Sequence, residues 1–324
     1  MSQLDSTLRE RGLRPVEVLS VGPSATVMRV IRAADGVLLV AKCVTDAAAN
    51  DLTVARFRHE YDLMTQIPAG VAPDVLEFSR VGSYWVMLER DTGATSVDRL
   101  VNGGGVSIEH AVSLTLGMLR ALETLHGAAV VHRDVNPSNF IVDPDGRIRV
   151  IDLGIAARMP VAREAFVNPR LIEGTLGYMA PEQAGRTNRD VDARADLYAV
   201  GVTLFELLTG RLPFVSNDPL TLLYEHVATP PPAPSSLRDE VPAALDAIVA
   251  HLLAKLPEAR YASASGVIRD LEAVVQLGHS APFTAGLLNP SAEVPNAGRL
   301  YGRSVELKEL RSQLARARDG APAA

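Results

Sequence analysis

Between Val16 and Glu89 the apolar side chains come in short β-branched runs. Val27 to Ile31, Val37 to Val44 and Tyr84 to Leu88 each have the length of a strand, and Ala34-Asp35-Gly36 supplies a turn between the first two. The pattern predicts a small antiparallel sheet. One helical pattern interrupts it, Val54 to Gln66, with Phe57, Tyr61 and Met64 on one stripe and Arg56, Arg58 and Glu60 elsewhere. Beyond Asp91 the period lengthens. Helices are predicted over Ile108 to His126, Ala193 to Thr209, Leu220 to Val227, Ala243 to Leu253 and Ser265 to Leu277, with turn-forming residues between them.

A sheet-rich half followed by a helical half is an α+β arrangement. Pro230-Pro231-Pro232-Ala233-Pro234 reads as a stiff surface connection between helices. From Gly278 to Gly298 the chain is rich in Pro, Ala, Ser, Gly and Asn without a period, the composition of a linker. Leu307, Leu310 and Leu314 then resume helical spacing in a segment too short to be stable alone. The expected organisation is a leader over 1–14, a main domain over 15–277, a linker over 278–298, and the start of a further domain over 299–324.

Bulk properties narrow the classes. A chain of 324 residues, 47% hydrophobic and 22% charged, can bury a large core. Its net charge of -6 argues against non-specific nucleic-acid binding, which needs a basic field. Residues 1–14 lack the apolar run of a signal peptide. Arg120, Glu123, His126 and Glu206 interrupt the most apolar segments, so no membrane span is expected. The single Cys43 permits no internal disulfide, suits a cytoplasmic setting, and is expected as a small buried strand residue.

Candidate chemistry lies in His132-Arg133-Asp134-Val135-Asn136-Pro137-Ser138-Asn139 and Ile151-Asp152-Leu153-Gly154. Phosphoryl transfer from ATP needs a carboxylate beside the acceptor hydroxyl and oxygen ligands for Mg²⁺, and Asp134, Asn139 and Asp152 supply them. Upstream, Leu19-Ser20-Val21-Gly22-Pro23-Ser24-Ala25-Thr26-Val27 reads as a phosphate-covering turn between strands. Val40-Ala41-Lys42 and Glu60 follow, a cation in a strand and an acid on a helix. His132, with Val130 and Val131 beside it, is expected to be structural, since no His has metal-ligand spacing to another His or to Cys43.

In this order the segments resemble the eukaryotic-type protein kinases over Val16 to Leu277. The resemblance implies a two-lobed kinase fold, a small antiparallel sheet lobe over 15–90 hinged near Glu89 to Asp91 onto a helical lobe over 91–277. ATP and Mg²⁺ would lie between them. It implies nucleotide contacts from Ser20, Val21, Gly22, Val27, Ala41, Lys42, Glu60, Glu89 and Asp91, with Lys42 on the α- and β-phosphates and Glu60 orienting it. Asp134 would be the base, and Asn139 and Asp152 the metal ligands. Of the three glycines usual in the phosphate-covering turn only Gly22 is present. Asn136 stands where most such kinases have a Lys on the transferred phosphate. It would offer a neutral contact there, so that on charge alone Asn136→Lys should raise turnover.

Glu173-Gly174-Thr175-Leu176-Gly177-Tyr178-Met179-Ala180-Pro181-Glu182 resembles the end of a kinase activation segment whose Thr175 suits a Ser/Thr-directed enzyme. By the same resemblance Glu182 should pair with Arg260, and Asp196 should brace the catalytic loop. Between Gly154 and Gly174 there is no Ser, Thr or Tyr. A phosphate partner for Arg133 therefore cannot form there, leaving control to another domain or to Glu164 or Glu173 as the anion.

More narrowly, Asp134 to Asn139, Glu173 to Arg189 and Leu300-Tyr301-Gly302-Arg303 resemble large bacterial signalling proteins that join a Ser/Thr kinase domain to an AAA-type ATPase, some with GAF and sensor histidine kinase domains. In these an Asn at the position of Asn136 is usual. The implied function is a protein Ser/Thr kinase in signal transduction. The alternative, from another class, is a nucleotide-binding regulatory pseudokinase controlling a downstream ATPase domain. A kinase acting on a small metabolite fits less well, since Gly174 to Glu182 resembles a platform for protein substrates.

Overall fold

Alternation along the first strands produces a sheet with two unlike faces. The computed structural model describes residues 2–22, 25–45, 51–101, 105–158, 175–184, 190–277 and 283–286. Helix α1 (Ser2–Glu10) leads into β1 (Leu13–Val21), β2 (Thr26–Arg32) and β3 (Leu38–Thr45). Helix α2 (Asp51–Met64) precedes β4 (Val75–Val81) and β5 (Tyr84–Arg90). The strands lie in the order β1-β2-β3-β5-β4, every pair antiparallel. Met28, Val30, Leu39, Ala41, Cys43, Val86 and Leu88 are buried in one cluster with Leu4 and Leu8 of α1. Val27, Val40, Lys42 and Glu89 share the opposite face, which lines a cleft. Burial pushes the Cys43 thiol up to about 12, so it is held as an inert thiol.

Helix α1, within the segment expected as a leader, packs against the sheet. Leu4 and Leu8, one helical turn apart, seal the sheet's outer face, and two apolar residues among polar ones are too short a pattern to stand out in sequence. Leu8→Ala is expected to lower stability by about 2 to 5 kcal/mol, read from urea unfolding. A loss below about 0.5 kcal/mol, the range of ordinary surface substitutions, would make α1 dispensable.

After β5 come β6 (Thr95–Ser96), α3 (Val97–Val101), α4 (Ile108–Gly127), β7 (Val130–Val131), β8 (Phe140–Val142), β9 (Ile148–Val150) and β10 (Ala157–Arg158). Helices α5 (Ala193–Thr209), α6 (Pro219–Ala228), α7 (Ala243–Leu252) and α8 (Ala264–Leu277) complete the lobe. Helix α5 is buried on nearly all sides, which explains its almost continuous apolar sequence. Asp192 caps its start, accepting from the Arg194 N–H at 2.9 Å, and Gly210 ends it at φ 75. A Cβ at Gly201 would fall 2.6 Å from the Leu252 Cβ, so glycine sets how closely α5 and α7 approach. The short strands matter for position. β7 ends just before His132, β8 begins just after Asn139, and β9 ends just before Ile151-Asp152.

Of the segment expected to be a linker, residues 283–286 are described. Phe283 and Ala285 pack against the main core, and the Gly286 N–H donates to Asp270 Oδ2 at 2.7 Å. The segment 299–324, expected to start a further domain, lies outside the described residues, as do Glu164 and Glu173. Among the described residues no helix is long and apolar enough to cross a membrane.

Candidate active site

The cleft is organised around Lys42. Its Nζ lies 2.8 Å from both carboxylate oxygens of Glu60 and 3.3 Å from Asp152 Oδ1. Glu60 belongs to the buried stripe of α2 that also holds Phe57 and Met64, not to the polar side that periodicity alone assigned it. Burial by itself would lower the Lys42 ammonium; Asp152 and Glu60 outweigh it and hold the group above its usual range. Lys42 in turn holds Asp152 below the ordinary carboxylate range, so that acid is ionised. The result is an ion-paired link from β3 through α2 to the segment after β9.

Asp196, in the first turn of α5, fixes the loop before Asp134. Its buried carboxylate accepts from the His132 N–H at 2.9 Å, the Arg133 N–H at 2.8 Å and His126 Nε2 at 2.8 Å. Burial would raise this acid, but the His126 contact and the other donors bring it below its ordinary value. His132 is buried and structural: Nε2–H donates to the Ile151 carbonyl at 3.2 Å while Nδ1 accepts from the Asp134 N–H at 3.3 Å. Arg133 and Asp152 both have left-handed backbones, φ 68 and φ 60. Such conformations are strained for non-glycine residues and persist where surrounding bonds over-determine them, as Asp196 does for one and Lys42 for the other.

Asp134 is half-buried. Asn139 Nδ2 donates to its Oδ2 at 2.9 Å and to its carbonyl at 2.8 Å. Burial raises the carboxyl above its usual range, with His132 and then the Asn139 and Asn136 donors pulling back, which leaves a carboxylate of increased basicity. Because the Asn139 amide nitrogen is spent on Asp134, its oxygen remains for a cation. Asp152 is 48% exposed and lines the same cavity as Asn139. A carboxylate and an amide oxygen form the hard oxygen set that suits Mg²⁺. Among the described residues no group of three or more His, Cys, Asp or Glu forms a closed metal cage, and Mg²⁺ usually keeps several waters.

The cavity measures about 480 Å³ and is lined by Ser20, Val27, Lys42, Glu60, Glu89, Asp91, Asn139 and Asp152 among the residues expected there. Several others fall outside it. Val21 is 70% exposed, and neither it nor Gly22 is among the lining residues. Ala41 is buried on the opposite face of the sheet, because a strand that turns Lys42 into the cleft must turn its neighbour away. Val40 takes the place expected of Ala41. The same alternation could have found Val40; Leu19 joins Ser20 in the lining where the register of β1 shifts between Val18 and Ser20, and Ile141 and Ile151 carried no signal beyond being apolar. Arg29 bridges Glu17 and Asp91, and Arg99 donates to the Leu19 carbonyl, tying the roof to residues beyond β5.

Asn136 is not placed as expected. It is buried, lines no part of the cavity, and spends its polar atoms inside the loop. Its Oδ1 accepts from the Ser138 N–H at 3.0 Å and hydroxyl at 2.5 Å, while Nδ2 donates to the Asp134 carbonyl at 3.1 Å and Oδ1 at 3.3 Å. It therefore caps the 3-10 turn Pro137–Asn139 and aims Asp134. Asn136→Lys is accordingly expected to lower turnover by about tenfold or more through misplacement of Asp134, reversing the expectation from charge alone. A rise in turnover measured under saturating ATP would restore the charge account.

Beside this loop, Gln183 Nε2 donates to the Arg133 carbonyl at 2.7 Å, and its Oε1 accepts from the Ala180 N–H at 3.1 Å. The neighbouring Glu182 pairs with Arg260 through contacts of 2.7 and 2.8 Å. The segment that begins at Thr175 is thus pinned both to the catalytic loop and to the helical core.

Comparisons with known proteins identify the family. The family model described as "Protein kinase domain" matches residues 14–270. The chain is 38% identical over 233 residues to the "Probable serine/threonine-protein kinase SCO3848" of Streptomyces coelicolor, covering 70% of this chain and 34% of that protein. It is 38% identical over 178 residues to the serine/threonine-protein kinase PksC of the same species, covering 55% and 32%. Against the serine/threonine-protein kinase PknB of Mycobacterium tuberculosis it is 34% identical over 187 residues, covering 58% and 30%. The chain spans about a third of the length of the curated relatives it matches.

Proposed function

Because the chain belongs to the protein kinase family, we propose that it transfers the γ-phosphate of Mg-ATP to serine or threonine hydroxyls of a protein substrate. The observation that carries this reading is the ion-paired link Glu60–Lys42–Asp152 across a cleft lined by Asn139, whose amide donates to Asp134 just outside the cavity lining. Lys42, kept charged and oriented by Glu60, holds the nonreacting phosphates. Asn139 and Asp152 would hold Mg²⁺, which would supply neutralisation of the charge that develops on the phosphate oxygens. Asp134, steered by Asn136 and Asn139, accepts the hydroxyl proton. The relatives' names support serine and threonine as acceptors.

The domain reading has the kinase domain spanning 15–277, extended by α1. An AAA-type ATPase domain following it in a bacterial signalling protein is supported by Leu300-Tyr301-Gly302-Arg303 and by the Asn at 136. The free, buried Cys43 supports a reducing, cytoplasmic setting. Phosphoamino-acid analysis after incubation of the chain with γ-labelled Mg-ATP and a generic protein acceptor tests the acceptor class. Phosphoserine or phosphothreonine is expected. Label confined to tyrosine, or found only on a small alcohol, would overturn it.

A further inference from the structure

The Glu60–Lys42 pair is only as well placed as α2, and α2 is fastened from the side. His59, immediately before Glu60, has its Nε2 2.8 Å from the carbonyl of Ala156, four residues beyond Asp152. A carbonyl only accepts, so Nε2 carries the proton and donates. Just past the end of the helix, Gln66 Oε1 accepts from Arg158 at 2.6 Å. Both contacts meet one short stretch, Ala156 to Arg158, and that stretch is itself fixed. Ala156 is 3% exposed and its N–H donates to the Leu153 carbonyl at 3.1 Å. Ala157 and Arg158 pair with Val131 and Val130 of β7, the strand that leads into His132. Helix α2 therefore leans on the entrance to the catalytic loop. His59 is exposed and stands outside the buried stripe of Phe57, Glu60 and Met64, so its contact is a bond and not a packing requirement. Residues 155–173 contain no hydroxyl that could carry a phosphate, and the fastening uses unmodified groups.

We propose that His59 is a positioning residue for phosphate transfer: by donating to the Ala156 carbonyl it holds α2 where Glu60 meets Lys42. The assignment rests on the reading of Lys42 as the phosphate-binding cation. Successive residues of a helix point about 100° apart, so Glu60 ties α2 to β3 while His59 ties it to the segment after Asp152. Held by Glu60 alone, the helix is free to pivot about the ion pair. With the second tie, a pivot breaks a bond to backbone that β7 keeps in place.

The chain carries its own reporter of this movement. Trp85 is its single tryptophan. The indole stacks on Phe78 at 5.4 Å, Phe78 meets Phe57 and Tyr61 of α2 at 5.2 and 5.3 Å, and the Arg58 guanidinium lies 5.9 Å from the Trp85 ring. The test measures Trp85 emission and kcat/KM for ATP in the native chain, His59→Leu and His59→Gln, with circular dichroism to check the fold. His59→Leu should shift the emission to longer wavelength and lower kcat/KM by about three- to tenfold, the loss of one hydrogen bond. His59→Gln, whose amide can still donate, should recover most of both. Native emission and rate in His59→Leu would overturn the inference. So would a shifted emission with an unchanged rate, since α2 would then move without consequence for Lys42, or a loss that His59→Gln does not recover. Were the native chain to transfer no phosphate, the kinase reading would fail, while the emission comparison would still decide whether His59 holds α2.

Discussion

Asp134→Asn is expected to lower phosphate transfer by about 10² to 10⁴, the range that positioned proton transfer contributes, with little change in ATP affinity. The substitution keeps shape and most bonds. Its amide oxygen can still accept from Asn139, which now meets the carboxylate at 2.9 Å, and the backbone bonds to Asp196 are untouched. What is lost is the ability to take a proton from the acceptor hydroxyl. Lys42, Glu60 and Asp152 remain as they were, so nucleotide binding reports on a different part of the cleft from turnover. Steady-state rates beside ATP titrations separate the two. A fall of less than about tenfold, well under that range, would mean that the proton leaves by another route.

Glu182→Ala is expected to cost about 3 to 5 kcal/mol of stability, because it strands a buried charge. The side chains of Arg260 and Glu182 are 0% and 1% exposed. Arg260 uses its whole donor set: two contacts to Glu182 at 2.7 and 2.8 Å, and others to the carbonyls of Ala254, Arg194 and Lys255 at 2.7, 3.0 and 3.1 Å. It also lies 4.8 Å from the centre of the Tyr198 ring. Removing Glu182 leaves a guanidinium that cannot leave the core and can no longer pair. The carbonyls it satisfies join the segment after Pro257 to the start of α5, so the loss reaches the helical lobe as well as the platform. Urea unfolding of Glu182→Ala beside Glu182→Leu with Arg260→Met separates the stranded charge from lost packing. The double change should recover only the part due to the stranded charge, because the carbonyls of Ala254, Arg194 and Lys255 lose their donor, and a single variant as stable as the native chain would remove the pair from the account.

Much of this was legible in the residues. The long helices were readable because each has a sustained period, and α5 appears with its expected bounds, Ala193–Thr209. Lys42, Glu60, Asp152 and Asn139 come together because their offsets along the chain are those of a cleft between a sheet and a loop. Helix α1 was missed because only Leu4 and Leu8 mark it. The exchange of Ala41 for Val40 follows from strand alternation, a rule available in sequence once Lys42 is assigned to the cleft. Asn136 is different in kind. Whether a short amide reaches a phosphate or folds back onto Ser138 and Asp134 depends on the loop's path, which no pattern of residue types specifies. Glu89, expected in the cleft from the resemblance, lines it because the strand register sets it opposite Val40.

The central matter is whether this cleft moves phosphate or only holds nucleotide. The most direct measurement incubates the native chain with γ-labelled ATP, Mg²⁺ and a protein acceptor, beside Asp134→Asn, with ATP binding measured on the same samples. Label passing to serine or threonine in the native chain, and falling with Asp134→Asn while binding persists, is the expected result. ATP bound by the native chain with no label transferred to any hydroxyl would contradict it and favour a regulatory, nucleotide-binding domain.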